Sequence, residues 1–287
     1  MQNPPFRLEL PRSRTTSVVF ASPHSGRDYG LDFLRRTVLD ELGVRSSEDA
    51  FVDRLFDTAP GLGAPLLAAT VPRAFVDLNR SADELDPAVI RGIRPQPHNP
   101  RISSGLGVIP RVVAGGRVIY RGKIELEEAE QRLERFWHPY HAALRRVLEE
   151  SRAAFGQAIL IDCHSMPHEA VRVGTGKSYR RPHVVLGDRF GAACSTEVMD
   201  KVQAAFERAG LRVSRNTPFA GAFITQHYGR PEIGQHVIQV EIDRSLYMDE
   251  GRIVPSKDFP AFRGILRGVI EEITEIGRAS PKSLAAE

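Results

Sequence analysis

Only two cysteines, Cys163 and Cys194, stand among the 287 residues of the chain. A disulfide framework needs more than that, so the sequence suits a reducing compartment. No stretch approaches the ~18 consecutive apolar residues of a membrane span. The opening MQNPPFRLELPRSRTTSVVF also has no apolar core of signal-peptide length. These absences predict a cytoplasmic protein without membrane contact. Charge of one sign is missing too: Lys+Arg 39 against Asp+Glu 36 leaves a formal +3. The isoelectric point is about 9.0, yet the arginines are scattered and no basic face is interleaved with aromatics, which argues against nucleic acid as a partner. Internal repeats and linkers are absent as well. The 287 residues therefore read as one domain, 1–287, with a core over about 17–276.

What is present is a series of apolar runs that end in polar groups. The run 159–161, Ile-Leu-Ile, leads into Asp162 and His164, and reads as a strand buried on both faces. Residues 17–21 form a second such run, followed by Ser-Pro-His-Ser-Gly with His24 in the same relation to its strand. Further strands are expected over 66–70, 74–80, 183–188, 211–214 and 237–242, the last carrying Glu241. Helices are expected over 32–42, behind the cluster 46–49, over 125–154 with a kink at Pro139, over 195–209 and over 259–276. Residues 81–122, 168–182 and 216–231 read as loops, and the small polar tail after Arg278 as frayed. Strands alternating with helices imply an α/β domain. In such sheets strand ends line one edge, where ligands bind.

His24 and His164 are therefore candidate metal ligands, since a catalytic zinc site takes three protein donors and keeps a position for water. The third donor is open. His-x-x-Glu spacing is absent, because Arg27 occupies the third position after His24. Asp28, Asp49 and Asp53 all compete, with Asp49 preferred because the start of a helix pins a carboxylate at one end of the element. Glu241 is the natural base. A developing oxyanion needs cationic or N–H donors, and Arg73 and Arg80 stand before and after the Phe-Val-Asp-Leu-Asn run; the pair Asn79-Arg80 also suits a carboxylate. Alternation along the strand puts Asp162 on the face of His164, where it can orient a neighbour, and turns Cys163 away.

Ser-Pro-His-Ser-Gly-Arg at 22–27, Glu-Asp-Ala-Phe-Val-Asp-Arg-Leu at 48–55, Val-Asp-Leu-Asn-Arg at 76–80, Ile-Asp-Cys-His-Ser-Met-Pro at 161–167 and Glu-Ile-Asp-Arg at 241–244 together resemble the N-formylglutamate amidohydrolase family. Gly-Val-Ile-Pro-Arg at 107–111, Ile-Tyr-Arg-Gly at 119–122 and Tyr-Gly-Arg-Pro at 228–231 fit it too. The resemblance implies a three-layer α/β/α fold with a central mixed, mostly parallel sheet, like that of zinc carboxypeptidases. It implies hydrolysis of N-formyl-L-glutamate to formate and L-glutamate, a step of histidine degradation, with one Zn2+ ion per chain. By that analogy His24 and His164 bind zinc and Glu241 is the general acid/base. Arg73 polarises the scissile carbonyl, while Asn79 and Arg80 hold the α-carboxylate. A dicarboxylate needs a second cationic pocket, for which Arg111 and Arg121 are the candidates. The expected partner is a small anionic N-acyl amino acid. Oligomeric state is left open, a monomer being compatible. The competing readings are a related zinc deacylase or carboxypeptidase and a non-catalytic ligand-binding protein.

Overall fold

The computed structural model describes residues 4–94, 99–171 and 181–278. Nine residues of the loop expected over 168–182, namely 172–180, and the tail after Arg278 lie outside them. The strands of the large sheet are β1 (Phe6–Glu9), β2 (Val18–Ser22), β3 (Leu66–Ala69), β4 (Ala158–Met166), β5 (Val184–Gly187), β6 (Val213–Arg215) and β7 (Gln235–Asp243). The helices are α1 (Leu31–Arg36), α2 (Glu41–Arg45), α3 (Val52–Leu55), α4 (Pro100–Ser103), α5 (Leu126–Arg132), α6 (His138–Phe155), α7 (Thr196–Arg208), α8 (Phe223–Tyr228) and α9 (Phe259–Ile276). No helix among the described residues is long and apolar enough to cross a membrane.

The sheet order is β1-β3-β2-β4-β7-β5-β6. β2 pairs parallel with β4, and β4 parallel with β7. β5 runs antiparallel to β7 and parallel to β6. This is the α/β arrangement that the alternating runs imply, with the mixed sheet that the resemblance implies. All nine residues of β4 are buried, as a central strand covered on both faces must be. That burial explains why Ile159, Leu160 and Ile161 form an unbroken apolar run rather than an alternating one.

The chain divides into two compact units. One comprises residues 1–7, 23–50 and 68–143. Its core groups Phe33, Val44, Ala74, Val113 and Ile119, with Tyr29, Leu39, Phe75 and Tyr120 packed against them. The other comprises residues 8–22, 51–67 and 144–287. There α9 packs against β2, α3 and α7, burying Phe262, Leu266, Val269, Ile270 and Ile273, a spacing that keeps one helical face apolar.

Four local expectations need correction. Residues 74–80 form turns, not a strand; Asp77 N–H donates to Val108 O at 2.8 Å, and helix side chains hold several of the segment's carbonyls. The helix expected over 32–42 is two, α1 and α2, because Thr37 leaves the helix in an extended conformation (φ −71°, ψ 145°) and Asp40 caps the next with its carboxylate on Gly43 N–H. The loop 216–231 contains α8. Pro139 does not simply kink the long helix. A π-turn at Leu133–Trp137 precedes it, with His138 N–H bonded five residues back to Leu133 O. Proline lacks an N–H and crowds the preceding turn; widening that turn by one residue accommodates it.

Candidate active site

His24 follows β2 by two residues and is buried, at 2% exposure. Its Nε2 lies 2.7 Å from Asp77 Oδ1. A carboxylate accepts, so Nε2 carries the hydrogen and Nδ1 is left with a lone pair. That Nδ1 lies 3.5 Å from Asp49 Oδ2. The backbones of the two residues are joined as well, Asp49 N–H donating to His24 O at 2.9 Å. Gly26 belongs to this turn because of a close approach: a Cβ there would sit 2.0 Å from Val71 O, so only glycine fits. Asp49 is not a helix cap. The residue flanking α3 is Phe51, in left-handed conformation (φ 66°), with no side-chain cap.

Asp77 lies among His24, Arg73 and Arg80. Burial works against its charge, but His24, Arg73 and Arg80 outweigh burial and hold its carboxyl well below the usual carboxylate range. Arg73 Nε bonds Asp77 Oδ2 at 3.1 Å, and Asn79 N–H donates to Asp77 Oδ1 at 2.9 Å. One carboxylate therefore orients His24, Arg73 and the Asn79 backbone together. Arg80 is buried; its Nε bonds Leu106 O at 2.9 Å and one Nη bonds Asn79 O at 2.8 Å. Burial lowers its guanidinium pKa, opposed by Asp77, but far from the range in which arginine loses its charge.

On β4 and β7 the polar residues share rungs. Asp162 lies opposite Gln239, and His164 opposite Glu241. Asp162 Oδ1 is 3.1 Å from His164 Nε2, so the two side chains share one face of β4, as alternation implies. Gln239 Oε1 accepts from Ala222 N–H at 3.0 Å, which turns its amide nitrogen toward Glu241 Oε1 at 2.8 Å. Gln239 is absent from the sequence expectations above. The signal for it is an amide two residues from Glu241 in an otherwise apolar buried strand. Ser165 Oγ accepts from Arg244 Nε at 3.1 Å. His164 and Glu241 both lie inside their strands rather than beyond the ends.

One ligand atom from each of His24, Asp49 and His164 lies within 4.8 Å of the other two. Two donors at zinc distances in tetrahedral arrangement lie about 3.3 Å apart; the His24–Asp49 separation of 3.5 Å is close to that. Two imidazoles, each beside a second carboxylate, and one carboxylate ligand form a donor set that fits a divalent ion. Of the three competing aspartates, Asp49 is the one in this group; Asp53 and Asp28 are not. Arg111 Nε bonds Asp86 Oδ2 at 3.0 Å, and Arg121 is exposed. Cys163 is buried, and burial next to Asp162 pushes its thiol well up, which disfavours the thiolate that a nucleophile or metal ligand needs.

A profile of the N-formylglutamate amidohydrolase family matches residues 16–248. An N-formylglutamate deformylase of Pseudomonas aeruginosa is 32% identical over 283 residues, covering 94% of this chain and 97% of the relative. One from Pseudomonas putida is 31% identical over 236 residues, 81% and 82% of the two chains. The crystal structure of N-formylglutamate amidohydrolase from Ralstonia eutropha JMP134 superposes with a TM-score of 0.89 at 34% identity, over 96% of this chain and 99% of that one. A solved protein of Agrobacterium tumefaciens, 17% identical with a TM-score of 0.65 over 96% and 95% of the chains, shares the fold.

Proposed function

The chain belongs to the N-formylglutamate amidohydrolase family, and from that premise we propose that it cleaves the formyl C–N bond of N-formyl-L-glutamate with one zinc ion on His24, Asp49 and His164. The observation that carries the metal reading is that group of three donors in a chain of this family. A zinc ion held there would supply a water of pKa about 7 and polarise a carbonyl oxygen.

The chain's own residues divide the remaining work. Glu241 takes the proton of the attacking water and returns it to the departing amine nitrogen, so that formate and the free amino group result. The Gln239 bond at 2.8 Å fixes one of its oxygens. Arg73, held by Asp77 at 3.1 Å, faces the negative charge that develops on the formyl oxygen. Asn79 and Arg80 bind the α-carboxylate, Arg80 being held by two backbone carbonyls. Arg111 and Arg121 take the side-chain carboxylate. Asp77 and Asp162 orient the two histidines.

Residues 1–287 act as one catalytic domain in this reading; the family match over 16–248 runs through segments of both compact units. Cytoplasmic placement belongs to it as well, supported by two free, buried cysteines. Glu241→Gln tests the assignment of the base. The account expects kcat to fall by about 10²–10⁴-fold with the metal retained; near-normal turnover with metal bound would overturn it.

A further inference from the structure

The turns at 74–80 carry Arg73 at their edge and Asp77, Asn79 and Arg80 within them. A buried segment outside any strand has no ladder partner for its carbonyls, yet buried carbonyls must be bonded. Three side chains from one long helix supply those bonds. Arg132 Nη1 donates to Phe75 O at 3.2 Å, and its guanidinium stacks 3.9 Å from the centre of the Phe75 ring. His141 Nε2 lies 2.9 Å from Leu78 O; a carbonyl only accepts, so Nε2 carries the hydrogen. Trp137 Nε1 donates to Arg80 O at 2.9 Å. The Trp137 and His141 rings pack against each other at a tilt of 38°, with centroids 4.0 Å apart.

The π-turn that accommodates Pro139 also sets the spacing of these donors. In a regular α-helix, residues five apart differ by about 140° around the axis, so Arg132 and Trp137 would face different neighbours. The π-turn at Leu133–Trp137 adds one residue between them and brings both onto the face toward the segment. Trp137 and His141 are then four apart and share that face. The carbonyls they hold, Leu78 O and Arg80 O, bracket Asn79 and Arg80.

We propose that Trp137 and His141, aligned by the π-turn, are positioning residues that set where Asn79 and Arg80 present their donors to the substrate α-carboxylate. The inference rests on the reading of Asn79 and Arg80 as that carboxylate's site. Neither aromatic side chain is assigned contact with the reacting atoms. Their loss therefore belongs in substrate and product binding, not in the chemical step.

The experiment compares the metal-loaded wild type with Arg80→Lys, Trp137→Phe, His141→Phe and His141→Gln. Each is assayed for KM and kcat with N-formyl-L-glutamate, for inhibition by L-glutamate, and for bound metal. Trp137→Phe and His141→Phe keep a ring and remove the N–H, and each should raise KM and the L-glutamate inhibition constant about fivefold to tenfold with kcat nearly unchanged. His141→Gln keeps a donor and should recover most of that loss. If Arg80→Lys raises KM while both aromatic variants leave KM and the inhibition constant unaltered, the positioning role is wrong and the carboxylate site stands. If the aromatic variants lower kcat and metal content without moving KM, their role is structural and the inference is overturned. If Arg80→Lys leaves KM unchanged, the reading beneath the inference fails. Should Trp137→Phe not fold, the His141→Phe and His141→Gln pair decides by the same split.

Discussion

Asp77 is buried, and its two oxygens are divided between His24 at 2.7 Å and Arg73 at 3.1 Å. Its charge is what makes His24 donate through Nε2 and offer Nδ1. Asp77→Asn keeps the volume but lets the amide present a donor to the imidazole, which favours the wrong tautomer. Metal affinity should fall about 10–100-fold, measured by competition with a chromophoric chelator. An unchanged affinity would remove Asp77 from the site's machinery. The same variant should alter acid stability. With its folded pKa held below the unfolded value, Asp77 contributes stability that is present above the ordinary carboxylate range and disappears as pH falls through the depressed value. The residues proposed for the chemistry are legible as types: histidines after apolar runs, a glutamate two residues before a strand ends. Asp77 was legible only as an accessory group, because its importance comes from which imidazole it meets, 53 positions away. The helix-start argument for Asp49 does not hold, since it caps no helix; the backbone bond to His24 places it in the group of three donors instead.

At the scale of elements, periodicity found the strongly amphipathic pieces and failed where a segment borrows its partners. The terminal helix matched its expected range of Phe259–Ile276, and β4 and β7 were found with their polar residues. The run 74–80 has the hydrophobic content of a strand, but its carbonyls go to Arg132, Trp137 and His141. No local pattern announces bonds to a helix more than fifty residues away. The π-turn is hidden for the same reason: one extra residue leaves the apolar spacing of the long helix almost intact. The packing of α9 gives a direct check on its role. Leu266 is fully buried in the unit that also holds His164 and Glu241. Leu266→Ala should cost about 2–5 kcal/mol in urea unfolding. A loss under about 0.5 kcal/mol, the range of an exposed position, would contradict the packing.

For the whole molecule, ionisation links the buried thiols to stability. Burial pushes the Cys194 thiol up to about 12, and Cys163 is also held well above its ordinary value. Below about pH 8.5 both folded and unfolded thiols are protonated and stability does not depend on them. Above it the unfolded chain releases protons that the native chain keeps, so stability falls as pH rises, by at most about 1.4 kcal/mol per unit for each thiol. Cys194→Ala should flatten that alkaline slope in denaturant titrations between pH 9 and the native value near 12. An unchanged slope would mean that the thiol is not held protonated by the fold.

The account as a whole depends on one metal ion serving one amidase site built from His24, Asp49 and His164. The most direct measurement is formate released from N-formyl-L-glutamate by the purified protein, with metal content determined on the same sample before and after chelation. The account predicts about one zinc-equivalent per chain in active protein, one formate per glutamate formed, loss of release on chelation, and recovery when zinc is restored. Release that persists after the metal is stripped, or no release from fully loaded protein, would contradict it.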